Sequence, residues 1–166
     1  MALNIDNGFL ELARTVDAAR LAAMSHTLIE AGLRPTWTAA RIGWHIRSPE
    51  SVVLTAKVGF PASIRTIAGF AIMRYGDEAA HLNLLAVDPT QRRKGIGRQL
   101  LLWLEETATT AGTFDIGLEL RASNTSALSF YGRLGYREVS RIPGYYQGVE
   151  PAIRMSRDLR VSPAAA

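Results

Sequence analysis

The stretch that most restricts the fold spans residues 79–121, AAHLNLLAVDPTQRRKGIGRQLLLWLEETATTAGTFDIGLELR. A β-type run, Ala79 to Val87, stops at Asp88-Pro89. Three consecutive cations, Arg92-Arg93-Lys94, then lead into Gly95 and Gly97. From there Ile96, Leu100, Trp103, Leu104 and Ala108 recur at helical spacing, with Glu105 and Glu106 expected on the water side and Gly112 suited to the C′ position. A second β-type run follows, Asp115 to Arg121. Strand, glycine-rich turn, helix, strand predicts a parallel crossover within one sheet. Glycines lack Cβ and let backbone N–H groups approach a ligand, and a helix that starts there aims its positive dipole end at the same point. The loop is built to hold an anion.

The rest of the chain sets the company this crossover keeps. Val16, Ala19, Leu21, Ala23, Leu28 and Ile29 predict a helix ending near Gly32, and a shorter one follows Pro35 through Trp37, Ile42 and Ile46. Ser51 to Val58, Thr66 to Tyr75 and Ala79 to Val87 read as an antiparallel meander. After the crossover come a helix over 125–134, stopped by Gly135, and strands near 136–142 and 152–159. The expected fold class is α+β (mixed α/β). It has a mixed, mostly antiparallel sheet of about six to seven strands flanked by about four helices, in the order ααβββαβαββ.

The 166 residues, 48% hydrophobic and 20% charged, suit one domain with a sizeable core, expected over 1–161 with SPAAA at 162–166 as a frayed tail. Cysteine is absent, which excludes disulfides, thiolate metal sites and a cysteine nucleophile. His26, His45 and His81 are isolated in sequence, so no metal is expected, and each reads as an ordinary helix or strand residue. MALNIDNGFLEL lacks a basic segment followed by an apolar one, and no apolar run approaches ~18 residues; a soluble, cytoplasmic protein with no membrane partner is expected. The net charge is +4, an excess that Arg92, Arg93, Lys94 and Arg98 alone would supply. So concentrated a patch suits a small polyanion better than a nucleic acid, which wants a basic stripe with interleaved aromatics.

Two phosphate cradles fail against this loop. A P-loop needs Lys and Ser or Thr after its last glycine, where Arg98 and Gln99 stand; the dinucleotide fingerprint needs a third glycine where Leu100 stands. What remains, Arg92-x-x-Gly95-x-Gly97 between a strand and an amphipathic helix, resembles the acyl-CoA-binding motif of the GNAT superfamily of N-acetyltransferases, [QR]-x-x-G-x-[GA]. NTSALSFYGRLGY, residues 124–136, resembles the superfamily's second motif, N-x-x-A-x-x-[FL]-Y-x-x-x-G-[FY], at the expected distance downstream. LELRASN before it is most similar to the RimI-type ribosomal-protein N-terminal acetyltransferases, and GYYQGVEPAIRMSRDL, residues 144–159, to the double-tyrosine loop and last strand of protein N-terminal acetyltransferases.

The resemblance implies a site. The anion would be the pyrophosphate of acetyl-CoA, wrapped by backbone amides of Arg92, Arg93, Lys94, Gly95, Ile96, Gly97 and Arg98, with the main chain of Leu85, Ala86 and Val87 pairing with the pantetheine arm and polarising the thioester. Glu119 would be the general base, directly or through water, and Tyr131 the acid for the leaving thiolate; Tyr131 equally fits an apolar helical stripe with Ala127, Phe130 and Leu134. Asn124 is an N-cap, a cofactor contact, or both. Tyr145 and Tyr146 are substrate-site candidates, or packing residues or a dimer contact; Arg34 and Trp37 are candidates to face the amine pocket, or Trp37 packs beneath it.

The implied reaction is acetyl transfer from acetyl-CoA to a primary amine by direct attack in a ternary complex, with a protein or peptide N-terminal α-amine as acceptor. At pH 7 freeing an α-amine costs about 1 kcal/mol and freeing a lysine about 4.6 kcal/mol, so an unaided glutamate of ordinary pKa suits the former. Transfer to a small-molecule amine or lysine, and a non-catalytic acyl-CoA-binding module, stand as alternatives. Oligomeric state is not readable, a dimer included.

Overall fold

The computed structural model describes residues 3–5 and 8–163. Two short strands, β1 (Leu3–Ile5) and β2 (Gly8–Leu12), stand ahead of the expected order. Helices α1 (Ala18–Leu28) and α2 (Ala39–Arg47) follow, the second starting after Trp37 rather than through it; β3 (Ser51–Val58), β4 (Thr66–Tyr75) and β5 (Ala79–Val87) then fall at the bounds the sequence predicts. The remainder is α3 (Ile96–Thr110), β6 (Asp115–Arg121), α4 (Thr125–Arg133), β7 (Arg137–Tyr146) and β8 (Glu150–Asp158). This is the mixed, mostly antiparallel α+β architecture with its single parallel crossover, extended at the front by the β1–β2 pair.

The chain divides into two compact units. The first holds β1 to β4, α1, α2, the second half of β5 and most of α3. Its strands run antiparallel, β2 laying Leu12 opposite Leu54 and β3 laying Leu54 opposite Ala71. Its core gathers Leu21, Met24, Trp37, Ile42, Val53, Phe70, Ile72, Leu84 and Ala86. The connection between α1 and α2 is organised by a buried carboxylate: Glu30 accepts from Thr36 N (2.6 Å), Thr36 Oγ1 (2.8 Å) and Trp37 N (3.1 Å). Thr38 then caps α2, its hydroxyl accepting from Arg41 N.

The second unit holds the first half of β5, the end of α3, β6, α4, β7 and β8. The parallel β5–β6 ladder joins Ala79–Leu82 to Asp115–Leu118. β6 alternates as a strand buried on one side should: Ile116, Leu118 and Leu120 are buried, while Gly117, Glu119 and Arg121 share the other face. β8 pairs antiparallel with β6 over its length and with β7 on its other side. β7 is the last strand of the order and carries two register shifts, one at Val139 and one spanning Pro143, Gly144 and Tyr145.

Glu105, expected in water, is 6% exposed. It lies four residues after Leu101 and three before Ala108, both fully buried, so the buried stripe of α3 is wider than the apolar residues alone suggest. Of the expected tail, Pro163 packs 3.2 Å from where a Cβ on Gly135 would sit, and 164–166 lie outside the described residues. No helix among the described residues is long and apolar enough to cross a membrane.

Candidate active site

The basic loop is shaped by its backbone. Asp88 starts it: its amide donates to Ala68 O (2.7 Å), and its carboxylate accepts from the amide and hydroxyl of Thr90. Those Thr90 hydrogen bonds hold the Asp88 carboxyl below the usual range. Arg93 and Gly95 both adopt left-handed φ, 62° and 78°. A Cβ on Gly95 would meet nothing within 4 Å, so glycine is required there by conformation rather than space. The first bond of α3 is Gln99 N to Gly95 O (3.0 Å), which leaves the amides of Gly95, Ile96, Gly97 and Arg98 without intrahelical acceptors. Arg92, Arg93, Lys94 and Arg98 are exposed around them. Arg92 Nε donates to Val87 O (3.2 Å) and Lys94 Nζ to Gln91 Oε1 (3.0 Å).

Beneath this loop lies a residue the sequence reading passed over. A Cβ on Gly69, in β4, would stand 2.9 Å from Ala86 O and 3.3 Å from both Ile96 Cγ2 and Val87 Cγ2. The end of β5 and the start of α3 therefore rest on bare β4 backbone. Leu84 and Ala86 are buried, while Leu85 and Val87 share the opposite, partly open face of β5.

In the second unit, Glu119 faces away from the buried side of β6 and is nevertheless only 10% exposed. Its Oε2 meets His81 Nε2 at 2.5 Å, and its Oε1 accepts from Arg154 Nε at 3.0 Å. Arg154 stands directly opposite Glu119 on β8, and His81 stands on β5 opposite Gly117, one same-face step away. The imidazole hydrogen bond holds the Glu119 carboxyl below the ordinary carboxylate range; burial opposes this, and Arg154 adds to it. The carboxylate is thus neither unaided nor ordinary, as the sequence suggested, and His81 is more than a strand residue. The signal was present: His81 shares its β5 face with Asn83, Leu85 and Val87, and a parallel register brings that face beside Glu119.

Asn124 caps α4, its Oδ1 accepting from Ala127 N (3.0 Å), and it is exposed. About two turns later Tyr131 is 7% exposed, its ring edge-on to Phe130 at 5.1 Å and Tyr136 at 5.6 Å. Burial first, then Tyr146, raises its pKa well above that of a free phenol. The register shift at Pro143–Tyr145 presents the tyrosine pair at the β7–β8 hairpin, rings 4.9 Å apart and nearly perpendicular. Tyr145 is 44% exposed and Tyr146 half-buried. Desolvation pushes both phenols up, and the Glu119 charge adds to it. Glu119, Tyr131, Tyr145 and Tyr146 thus share one unit with His81 and Arg154.

Of the two candidates from the helix pair, Arg34 is exposed, whereas Trp37 is 8% exposed within the core cluster, with the Arg41 guanidinium 3.7 Å over its ring.

Comparison with known proteins meets this geometry from outside. Over 93 residues the chain is 41% identical to the ribosomal protein bS18-alanine N-acetyltransferase of Salmonella typhimurium, covering 54% of this chain and 63% of that one. It thus spans somewhat under two thirds of the curated relative's length. Over 80 residues it is 35% identical to the N-terminal acetyltransferase B complex catalytic subunit of Schizosaccharomyces pombe, covering 48% of this chain and 44% of that protein. The crystal structure of the Escherichia coli ribosomal-protein-S18-alanine N-acetyltransferase superposes with a TM-score of 0.76 at 25% identity, over 96% of this chain and 98% of that one. The profile of the Acetyltransferase (GNAT) family matches residues 20–136, and the chain belongs to that family.

Proposed function

We propose that the protein transfers an acetyl group from acetyl-CoA to the α-amine at the N-terminus of a protein or peptide. The observation that carries this reading is the shielded Glu119 carboxylate, hydrogen-bonded to His81 and held in the same unit as the tyrosine pair of the β7–β8 hairpin. Acetyl-CoA supplies an activated acyl group whose leaving thiolate is stable near neutrality. The loop fits its diphosphate: the amides of Gly95 to Arg98 lack helical acceptors, and four cations surround them.

On the acceptor side, the His81–Glu119 pair takes the proton that the ammonium must lose. With its Nε2–H donated to Glu119, the imidazole of His81 offers Nδ1 as the accepting atom, and the carboxylate steadies the imidazolium that forms. The depressed carboxyl acts as orienter and counter-charge to that imidazole. That suits an α-amine, about 1 kcal/mol from its free form at pH 7, better than lysine. Tyr131, with its raised pKa, hydrogen-bonds the departing sulfur, and the thiolate takes up the proton that the attacking nitrogen sheds as the amide forms. The relatives named for protein N-terminal acetylation support the choice of acceptor.

The test is release of free CoA with a peptide beginning in Ala, compared with a polyamine, an aminoglycoside and an internal-lysine peptide. Because the chain has no cysteine, a thiol reagent reports CoA without background. Turnover with the Ala peptide that falls about 100-fold in Glu119→Gln and in His81→Ala is expected. Turnover of a small amine with none of the peptide would reverse the choice of acceptor, and unchanged rates in both variants would refute the proton-accepting pair.

A further inference from the structure

A second carboxylate stands at the base of the tyrosine hairpin. Glu150, the first residue of β8, is opposite Tyr146 in the β7–β8 register. Its Oε2 accepts from Arg121 Nε at 2.6 Å, and its Oε1 accepts from the Ser123 hydroxyl. Arg121 is the last residue of β6, two positions beyond Glu119 and on the same face; Ser123 sits in the turn that leads into α4. A main-chain bond runs alongside, Ala122 N to Pro151 O at 3.0 Å. The ion pair is largely shielded, with side-chain exposures of 24% for Arg121 and 17% for Glu150.

One side chain thus joins three pieces: the end of the strand that carries Glu119, the turn that starts α4, and the hairpin that carries Tyr145 and Tyr146. The hairpin needs such an anchor. Its β7 arm leaves register between Ile142 and Tyr146, and its turn contains left-handed residues at Gln147 (φ 56°) and Gly148 (φ 74°). Ladder hydrogen bonds are therefore fewest where the tyrosines must be held. Glu150 supplies charge-assisted bonds at that point, stronger and more directional than neutral ones.

We propose that Glu150 is a positioning residue for the acceptor: by gripping Arg121 and Ser123 it fixes the tyrosine pair against the end of β6, and so sets acceptor affinity without touching the acyl donor. This rests on the acceptor reading given above. The grip acts on the hairpin, whereas the anion loop of residues 92–98 belongs to the other unit.

The experiment measures steady-state kinetics with an Ala-starting peptide, CoA affinity by calorimetry, and thermal melting for wild type, Glu150→Ala, Glu150→Gln and Ser123→Ala. In Glu150→Ala the peptide KM is expected to rise about tenfold or more, with kcat within about threefold and the CoA dissociation constant within about twofold. Glu150→Gln, which keeps an acceptor oxygen but not the charge, and Ser123→Ala, which loses only the hydroxyl's bond, should fall between. Should Glu150→Ala not fold, the same split in the two milder variants decides. An unchanged peptide KM, or a CoA affinity that falls as far as the peptide's, overturns the proposal. A wild type that binds CoA yet turns over no peptide overturns the acceptor reading itself, and this inference with it.

Discussion

Gly69→Ala is the sharpest probe of how the acyl-donor side is built, because one methyl group tests the packing under both β5 and α3. The new Cβ would stand 2.9 Å from the carbonyl oxygen of Ala86, a backbone atom that cannot rotate away, and 3.3 Å from two methyl groups, Ile96 Cγ2 and Val87 Cγ2. Contact at that range forces a shift of main chain. Overpacking of this kind costs about 1–3 kcal/mol. At roughly 2–4 °C per kcal/mol for a chain of this size, melting should fall by about 2–12 °C. The atoms that must move are those proposed to meet the cofactor, so the CoA dissociation constant should rise about three- to tenfold alongside. Gly117→Ala is the control: its Cβ would find only Met155 O, at 3.9 Å, an ordinary contact on the open face of β6. Neither glycine has a left-handed φ, so the pair separates steric room from backbone conformation. Differential scanning calorimetry and CoA titration on both variants suffice. If Gly69→Ala melts with wild type and binds CoA as tightly, the close approach of β4 does not shape the site.

Two further outcomes follow from single carboxylates. The Glu119 carboxyl is held below its usual range by the His81 hydrogen bond, so it adds stability that is complete above the unfolded value of about 4.3 and is lost as pH falls through the lower folded value; the melting difference between wild type and Glu119→Gln should be largest near neutrality and close below about pH 4, and a gap constant with pH would contradict this. Glu30→Ala strands the buried amide of Trp37 and removes the acceptor of Thr36, and should cost roughly 2–4 kcal/mol in urea unfolding, a loss under about 1 kcal/mol being incompatible with the network described.

The meander and the crossover were legible because their signals are local. β3, β4 and β5 are runs of β-branched and alternating residues closed by Gly, Pro and Asp, and the helix after Gly95 announces itself by spacing. β1 and β2 were not, since LNI and GFLEL are short and β2 becomes a strand by pairing with β3, some 44 residues away in the Thr55 to Glu11 contact. Glu119 was singled out by the resemblance of LELRASN, its strand face alone fitting a solvated edge residue equally; its two partners come from 38 residues before and 35 after, so neither the depressed carboxyl nor His81 follows from local pattern. Gly69 escaped for a similar reason: a glycine inside a strand declares only that something comes close, and what comes close is set by the sheet. Trp37 shows the converse, an aromatic that pattern alone could not assign to pocket or core and that packing assigns to core.

The irregular rim strand β7 has a wider consequence. Pro143 withholds one amide, and the two interruptions at Val139 and Pro143–Tyr145 break the repeat that another extended chain would have to match. A long flat segment, including the same strand from a second copy, finds no continuous row of donors and acceptors there. The margin beside the tyrosines is thereby kept clear of fibre-like stacking.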